Sequence, residues 1–396
     1  MPLGIYISVP FCKSKCSYCN FASDVFAGAR MQGYVERVCA DIAAAEAMAS
    51  DAGGEFDRQV DSIYFGGGTP SLLQPAQLQQ IFAAIRGQFT VASDAEIAVE
   101  CAPGTLSNSI LDTLVGCGVN RVSLGVQSFV DAEARAVGRL HTREIALADI
   151  ARLRTAGVDD INLDLIAGLP HQTAASWEKS LDDVIATGVP HASVYMVEVD
   201  EDSRLGRELI AGGTRYHAHF APSDELTAEL YERACERLTN AGIKQYEISN
   251  FAQAGSESRH NLKYWTRQSY LGFGVDAHSM LRSARGDFDA VRLATAESLD
   301  EFMDEHGQAR PRHTTVSHAQ AWEETFFLGL RMNRGVNLRE VERRFGRDGA
   351  ERARPIVNDL VGEALAEMHG DHLCLTARGQ LLSNEVFQRF LLQPAN

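Results

Sequence analysis

Between Gly4 and Ala252 the chain alternates between short apolar, β-branched runs and longer stretches with helical spacing. The runs fall at residues 5–9, 62–65, 96–101, 121–126, 161–166, 193–197 and 245–248. The stretches between them, apolar at three- and four-residue intervals, cover 34–48, 75–86, 108–117, 143–155, 175–187 and 223–240. Gly118, Gly157, Gly188 and Gly242 close several of these predicted helices, at the position where a chain leaving a helix turns left-handed. A helix between two strands carries the chain back across the sheet, so consecutive strands run parallel. About six such units predict an α/β fold, an incomplete (β/α)6-type, TIM-like barrel. No fixed period underlies the alternation, so the architecture repeats and the sequence does not.

The 396 residues leave room for this domain and an appendage. Residues 1–252 read as the partial barrel, 253–313 as a connecting region and 314–396 as a small, mostly helical domain. The run Gly307-Gln308-Ala309-Arg310-Pro311-Arg312 reads as a linker. Helical stretches near 319–332, 337–345 and 350–367, a hairpin signal at 369–376 and a last helix give this domain a winged-helix-like order. Residues 315–396 hold 10 Arg and no Lys against 11 acids, so a structural or lid role is expected in place of DNA binding. The whole chain carries a net charge of −16, which argues against nucleic-acid partners and against an electrostatic hold on anionic lipid. No basic segment leads into an apolar one at the N-terminus, and no apolar run approaches about 18 residues. A cytoplasmic protein is expected, with at most transient contact with a membrane. Of the eight cysteines, Cys39, Cys101, Cys117, Cys235 and Cys374 are scattered, without the spacing of a disulfide framework. That usage fits a reducing compartment.

The other three, Cys12, Cys16 and Cys19, form CxxxCxxC directly after the first strand-like run. Three thiolates on one short loop can hold three irons of a cubic iron–sulfur cluster and leave the fourth open. A structural zinc site would need four N or S ligands. Here no second CxxC exists, and His141 and His171 lie far along the chain. The aromatic neighbours Phe11, Tyr18 and Phe21 can shield a cluster from water, which tunes its potential. One unit later Gly66-Gly67-Gly68-Thr69-Pro70-Ser71 follows the strand-like run 62–65. Consecutive glycines at a strand's C-terminal end let backbone groups approach a ligand closely, at the end of a barrel where active sites form.

These motifs resemble the radical S-adenosylmethionine superfamily, and within it the branch containing the anaerobic coproporphyrinogen III dehydrogenases and the HemW heme chaperones. The resemblance covers nearly the whole chain. It includes the lead-in Tyr6-Ile7-Ser8-Val9-Pro10-Phe11-Cys12, the cysteine trio, the glycine run and the C-terminal helical domain. It implies a [4Fe-4S] cluster on Cys12, Cys16 and Cys19, whose open iron chelates the methionyl group of S-adenosylmethionine. It places Tyr6 beside that cofactor, Gly67, Gly68 and Thr69 at its amine, and Glu100, Gln127, Arg139 and Asp164 among its polar contacts. Cys101-Ala102-Pro103 departs from the pattern, which commonly has Asn before the Pro. Glu198 also departs, standing where the dehydrogenase has a small residue.

Three features separate the branches. The dehydrogenase pattern is CxxxCxxCxC, and Phe21 stands at its fourth cysteine. The dehydrogenase has a long N-terminal extension, whereas five residues precede Tyr6 here. Finally, His260-Asn261-Leu262-Lys263-Tyr264-Trp265 matches the HNxxYW motif associated with heme binding in the chaperones. Neutral imidazole is a good axial ligand for heme iron, and tyrosine and tryptophan offer flat apolar area. In a helix His260 and Tyr264 would share a face. The segment Tyr270 to Ser279 is also chaperone-like, with Asp276 where Gly is commoner. The resemblance therefore implies a chaperone carrying heme to membrane-bound apo heme proteins of the respiratory chain. It also implies an electron donor for the cluster, and it admits S-adenosylmethionine cleavage and a homodimer. The alternatives are oxidative decarboxylation of coproporphyrinogen III and a radical heme methyltransferase.

Overall fold

The structure, a computed structural model, describes residues 2–304 and 311–391. Six of the seven residues of β1 (Leu3–Val9) are buried. A strand apolar at nearly every position must be covered on both faces, the condition of a parallel sheet between helices. β2 (Gly54–Glu55) is a short side pairing. β3 (Gln59–Gly67), β4 (Thr90–Cys101), β5 (Arg121–Gln127), β6 (Asp160–Ala167) and β7 (His191–Met196) follow β1 in parallel, each beside the next. Helices Pro75–Gln88, Asn108–Gly116, Arg143–Thr155 and Ala174–Thr187 return the chain between them. Ser107, Thr142 and Thr173 cap the last three. All four expected stop glycines have positive φ, from 64° to 86°.

The seventh apolar run does not extend the parallel set. β8 (Lys244–Glu247) turns back within two residues into β9 (Asn250–Ala252), and β9 lies antiparallel to β7. A reversal that short leaves no length for a crossover helix. On the other edge β10 (Tyr270–Gly274) pairs parallel with β1. β11 (His278–Ser283), β12 (Ala290–Ala294) and β13 (Arg312–Val316) then continue antiparallel. The stretch read as a connection thus supplies three strands and the start of a fourth. Asp276, between β10 and β11, has φ 52°, a conformation glycine reaches without strain. Gly307–Arg310 of the expected linker lie outside the described residues, and Arg312 opens β13. The sheet runs β13-β12-β11-β10-β1-β3-β4-β5-β6-β7-β9-β8, and its ends do not pair among the described residues.

The C-terminal domain packs helix His318–Gly329 and the long helix Leu338–Gly362, broken at Gly346, against a small sheet. That sheet has the order β14 (Val336–Asn337), β16 (His372–Leu375), β15 (Ala366–His369). Trp322, Phe326 and Phe390 form its core, with the two Phe rings stacked at 4.3 Å. Ile248 N–H donates to Arg331 C=O at 3.0 Å and joins the domain to the β8–β9 hairpin. Among the described residues no helix is long and apolar enough to cross a membrane.

Candidate functional site

A cavity of about 840 Å³ opens at the C-terminal ends of the parallel strands and reaches the C-terminal domain. Cys12, Cys16, Cys19, Gly67, Gly68, Thr69, Glu100, Gln127, Arg139 and Asp164 all line it. Residues from four strands and the loops that follow them therefore meet at one place, where a βα-barrel collects its chemistry. Tyr6 does not line it. Its ring lies behind Tyr64, stacked at 6.2 Å.

The cysteine loop is held by backbone as much as by side chains. Cys12 N–H donates to Asp24 C=O and Asp24 N–H to Pro10 C=O, both at 3.0 Å. Lys15 Nζ donates to Phe21 and Ser23 C=O, each at 2.7 Å, and draws the loop around itself. Ser14 Oγ donates to Gly138 C=O at 2.7 Å. Arg139 Nη1 lies 3.7 Å from Cys16 Sγ, and Thr69 Oγ1 lies 3.8 Å from Cys12 Sγ. A guanidinium and a hydroxyl beside thiols favour the thiolates a metal needs. Burial, with smaller contributions from Cys19 and Cys16, pushes the Cys12 thiol above its ordinary value, against hydrogen bonds from Ser23 and Thr69. Among the described residues, no three His, Cys, Asp or Glu side chains converge as ligands of a single metal ion would.

The glycine run fits against this loop. Gly68 N–H donates to Val9 C=O at 2.7 Å and Thr69 N–H to Phe11 C=O at 2.8 Å. A Cβ on Gly68 would stand 2.8 Å from both of those carbonyl oxygens and 3.1 Å from Cys12 Sγ. The N–H groups of Gly68 and Thr69 are thus spent on the loop, and only carbonyls remain for a ligand amine.

Glu100 and Asp164 are half-buried in the wall of the cavity, close enough for their charges to interact. Tyr64 Oη donates to Glu100 Oε1 at 2.8 Å, and Ser123 Oγ donates to Asp164 Oδ2 at 3.0 Å. Burial, and then the charge of Asp164, push Glu100 up to about 7. Burial likewise raises Asp164, against its hydrogen bonds. Gln127, at φ 68°, holds its Oε1 buried without a partner, and Arg139 Nε is also unpartnered. An unsatisfied acceptor, an unsatisfied donor and two under-compensated carboxylates fit a ligand with cationic and polar groups. S-adenosylmethionine is such a ligand, with a sulfonium and an ammonium.

Of the His260 motif only Asn261 reaches this cavity, and His260, Tyr264 and Trp265 do not line it. The motif forms helix Arg259–Trp265, whose N-terminus sits on the buried Glu96 carboxylate. Arg259 and His260 N–H each donate to Glu96 at 2.9 Å. His260 is fully buried; its Nδ1 lies 3.0 Å from Ser62 Oγ and its Nε2 lies 2.8 Å from Tyr264 Oη. Its ring stacks on Tyr64 at 5.4 Å, and burial followed by Lys263 holds its pKa down to about 3. The imidazole is neutral, as a heme ligand must be, but neither nitrogen is free in this arrangement. The Trp265 ring is covered by Arg331, whose Cζ lies 4.4 Å from its centroid.

Several lining residues were not foreseen: Tyr64, Ser123, Asn162, His191, Ser193 and Tyr195. Their signal was period two. Asn162 and Asp164 on β6, and His191, Ser193 and Tyr195 on β7, alternate with apolar residues and point inward together. Asn162 links them, with Nδ2 2.7 Å from Asp164 Oδ1 and Oδ1 2.6 Å from His191 Nδ1.

The profile of the Radical SAM superfamily matches residues 6–184, and that of the HemN C-terminal domain matches residues 316–382. The heme chaperone HemW of Bacillus subtilis is 34% identical over 98% of this chain and 98% of its own length. HemW of Lactococcus lactis is 30% identical over 100% of this chain and 99% of its own. HemW of Mycobacterium tuberculosis is 32% identical over 98% and 95%. Among solved structures, coproporphyrinogen III oxidase (HemN) from Escherichia coli superposes with a TM-score of 0.82 at 24% identity, over 98% of this chain and 90% of that one. This last likeness concerns the fold.

Proposed function

The chain belongs to the HemW family of the radical SAM superfamily, and from that premise we propose that it is a heme chaperone. It binds heme and passes it to membrane-bound apo heme proteins of the respiratory chain. The observation that carries the reading is the full-length kinship with HemW proteins, of which that of Bacillus subtilis is 34% identical. Two features of the chain support it. Phe21, 60% exposed at the cavity mouth, stands where the dehydrogenase pattern has its fourth cysteine. The cavity also continues well past the cysteine loop to the C-terminal domain.

Cys12, Cys16 and Cys19 would hold a [4Fe-4S] cluster, and Gly67, Gly68, Thr69, Glu100, Gln127, Arg139 and Asp164 would hold S-adenosylmethionine against it, with Tyr6 supporting from behind Tyr64. When bound, the cluster supplies an open iron for the methionyl group and an electron for the sulfonium. The protein's part is to orient and neutralise. Glu100 and Asp164 meet the positive charges, Arg139 turns one nitrogen to Cys16 and keeps Nε for the ligand, and the backbone N–H groups of Gly68 and Thr69 lock the glycine run to the loop.

His260, Tyr264 and Trp265 remain the candidate heme contacts. Ligation through His260 Nε2 requires the hydroxyl of Tyr264 to leave it, at a cost of about 1 kcal/mol for one hydrogen bond.

The test is a pair of anaerobic assays on protein reconstituted with iron and sulfide. Titrated heme should bind stoichiometrically and transfer to an apo respiratory heme protein in vesicles. Coproporphyrinogen III with S-adenosylmethionine and a reductant should stay unchanged. Protoporphyrinogen IX at turnover would replace this reading with the dehydrogenase, and methylated heme would replace it with the methyltransferase.

A further inference from the structure

Three arginines line the cavity, and two of them direct hydrogen bonds into the barrel wall, although Arg139 Nε stays unpartnered. Arg121 Nη1 donates to Asp160 Oδ1 at 2.9 Å and to Ser256 C=O at 3.0 Å. Arg139 faces the cysteine loop, bonded to Gly125 C=O and beside Cys16 Sγ. The third, Arg331, comes from the C-terminal domain at the end of the cavity away from the cysteines, on the wall formed by Ile248, Ser383 and Asn384. Its guanidinium makes no hydrogen bond among the described residues, and its Nε is buried without a partner.

Arg331 is nonetheless held in place. Its guanidinium lies over the Trp265 ring, with Cζ 4.4 Å from the centroid, which fixes the plane of the fork. Its backbone carbonyl is tied to Ile248 N–H at 3.0 Å. The charge nearest to it, Glu247 Oε2, is 3.7 Å from Nη2, beyond hydrogen-bond reach. Glu247 turns its other oxygen to Ser249 N–H at 3.0 Å and to the Asn250 amide. Glu247 Oε1 is therefore anchored to its own hairpin, while Oε2, buried and without a hydrogen bond, faces Arg331 as a long ion pair that leaves the N–H donors of the fork unfilled. A flat, pre-oriented guanidinium with free N–H donors at the end of a cavity matches the bidentate geometry of a carboxylate.

We infer that Arg331 is a carboxylate anchor, and that it receives a propionate side chain of a tetrapyrrole whose macrocycle lies in the cavity. This inference rests on the heme reading and adds an orientation to it. One acid arm points to the C-terminal domain, and the ring lies toward the cysteine loop. Trp265 acts here as the platform that positions Arg331.

The experiment titrates heme and heme dimethyl ester into the full chain, as wild type, Arg331→Ala and Arg331→Lys, with binding read from the absorbance of the bound iron. A bidentate charge-assisted pair contributes about 1.5–3 kcal/mol, or roughly tenfold to a hundredfold in affinity. Wild type should prefer heme to the diester by that factor. Arg331→Ala should lose it for heme and bind the diester as wild type does. Arg331→Lys should fall between, since it keeps the charge and loses the fork. Equal heme affinity in wild type and Arg331→Ala would overturn the anchor, as would an equal loss for heme and diester, which would report a collapsed wall. If Arg331→Ala does not fold, the wild-type preference and the lysine variant decide the matter. Wild type that takes up neither ligand would refute the heme reading itself, an outcome distinct from the others.

Discussion

The imidazole of His260 is closed by the side chain one helical turn later: its Nε2 lies 2.8 Å from Tyr264 Oη, while Nδ1 lies 3.0 Å from Ser62 Oγ. The spacing that puts the two residues on one helix face thus also lets the tyrosine occupy the nitrogen an iron would need. Tyr264→Phe removes the competitor and leaves the ring in place. If His260 takes the iron, heme affinity should rise about tenfold, the equivalent of one hydrogen bond. Unchanged or weaker binding in a spectral titration would place the iron elsewhere. His260→Ala is the poorer probe. It leaves a cavity beneath Tyr64 and strips Ser62 of its partner, at a cost of about 2–4 kcal/mol in a denaturant melt.

The parallel strands and the cysteine loop were readable because each rests on a local pattern. β1 is apolar almost throughout, and the three cysteines share one loop. The four strands from Tyr270 to Val316 were not, because they are short and broken by Gly and Ser, and the pairing of β10 with β1 that brings them into the sheet is decided by distant neighbours. The glycine run was legible as a close approach, but not the destination of its N–H groups, which depends on Val9 and Phe11 sitting opposite. The motif at His260 was legible as a motif. Its burial was not, because Ser62, Tyr64 and Glu96 that enclose it come from β3 and β4, far away in the chain.

Glu100 predicts a pH dependence with a definite sign. Its carboxyl holds a proton up to about 7 because of burial and Asp164, against an ordinary value of 4.5. Between those values the folded protein keeps a proton that the unfolded chain gives up, so the stability of the ligand-free protein falls as pH rises through the window. Glu100→Gln should abolish that fall and stabilise the empty protein at pH 8 by on the order of 3 kcal/mol. Cation binding runs the other way. S-adenosylmethionine needs the ionised carboxylate, so its affinity should weaken roughly tenfold per pH unit below about 7. Equilibrium dialysis across that range should give a flat, weaker profile for the Gln variant. A flat profile in wild type would remove Glu100 from the cation site.

Gly68→Ala isolates the junction of the two loops. The added carbon would meet Val9 and Phe11 carbonyl oxygens at 2.8 Å, and backbone cannot swing aside as a side chain can. The cost should be about 1–3 kcal/mol of overpacking. Its main effect should fall on Cys12, whose loop must move away. Iron and sulfide content after anaerobic reconstitution should drop severalfold, with the helical circular dichroism unchanged. Full cluster loading in this variant would mean that the glycine run does not constrain the loop.

Arg267 joins the C-terminal domain to the extended sheet. It is nearly fully buried, with φ 53°, and donates through Nε to Glu324 Oε2 at 2.8 Å and through Nη2 to Asp289 Oδ2 at 2.9 Å. Arg292 and Arg344 reach the same two carboxylates from the sheet and from the long helix. Removing the central cation leaves Glu324, itself buried, short of a partner. Such a loss usually costs about 3–5 kcal/mol, more than the pair contributes over an apolar replacement. Arg267→Met should therefore lower the melting temperature clearly. The Glu324→Gln/Arg267→Met double variant should recover part of the loss, because the unpaired buried charge is gone. Since Arg331 rides on the same domain, Arg267→Met should also weaken heme binding while leaving the diester unaffected. A melting temperature equal to wild type would show that the two remaining arginines satisfy both carboxylates unaided.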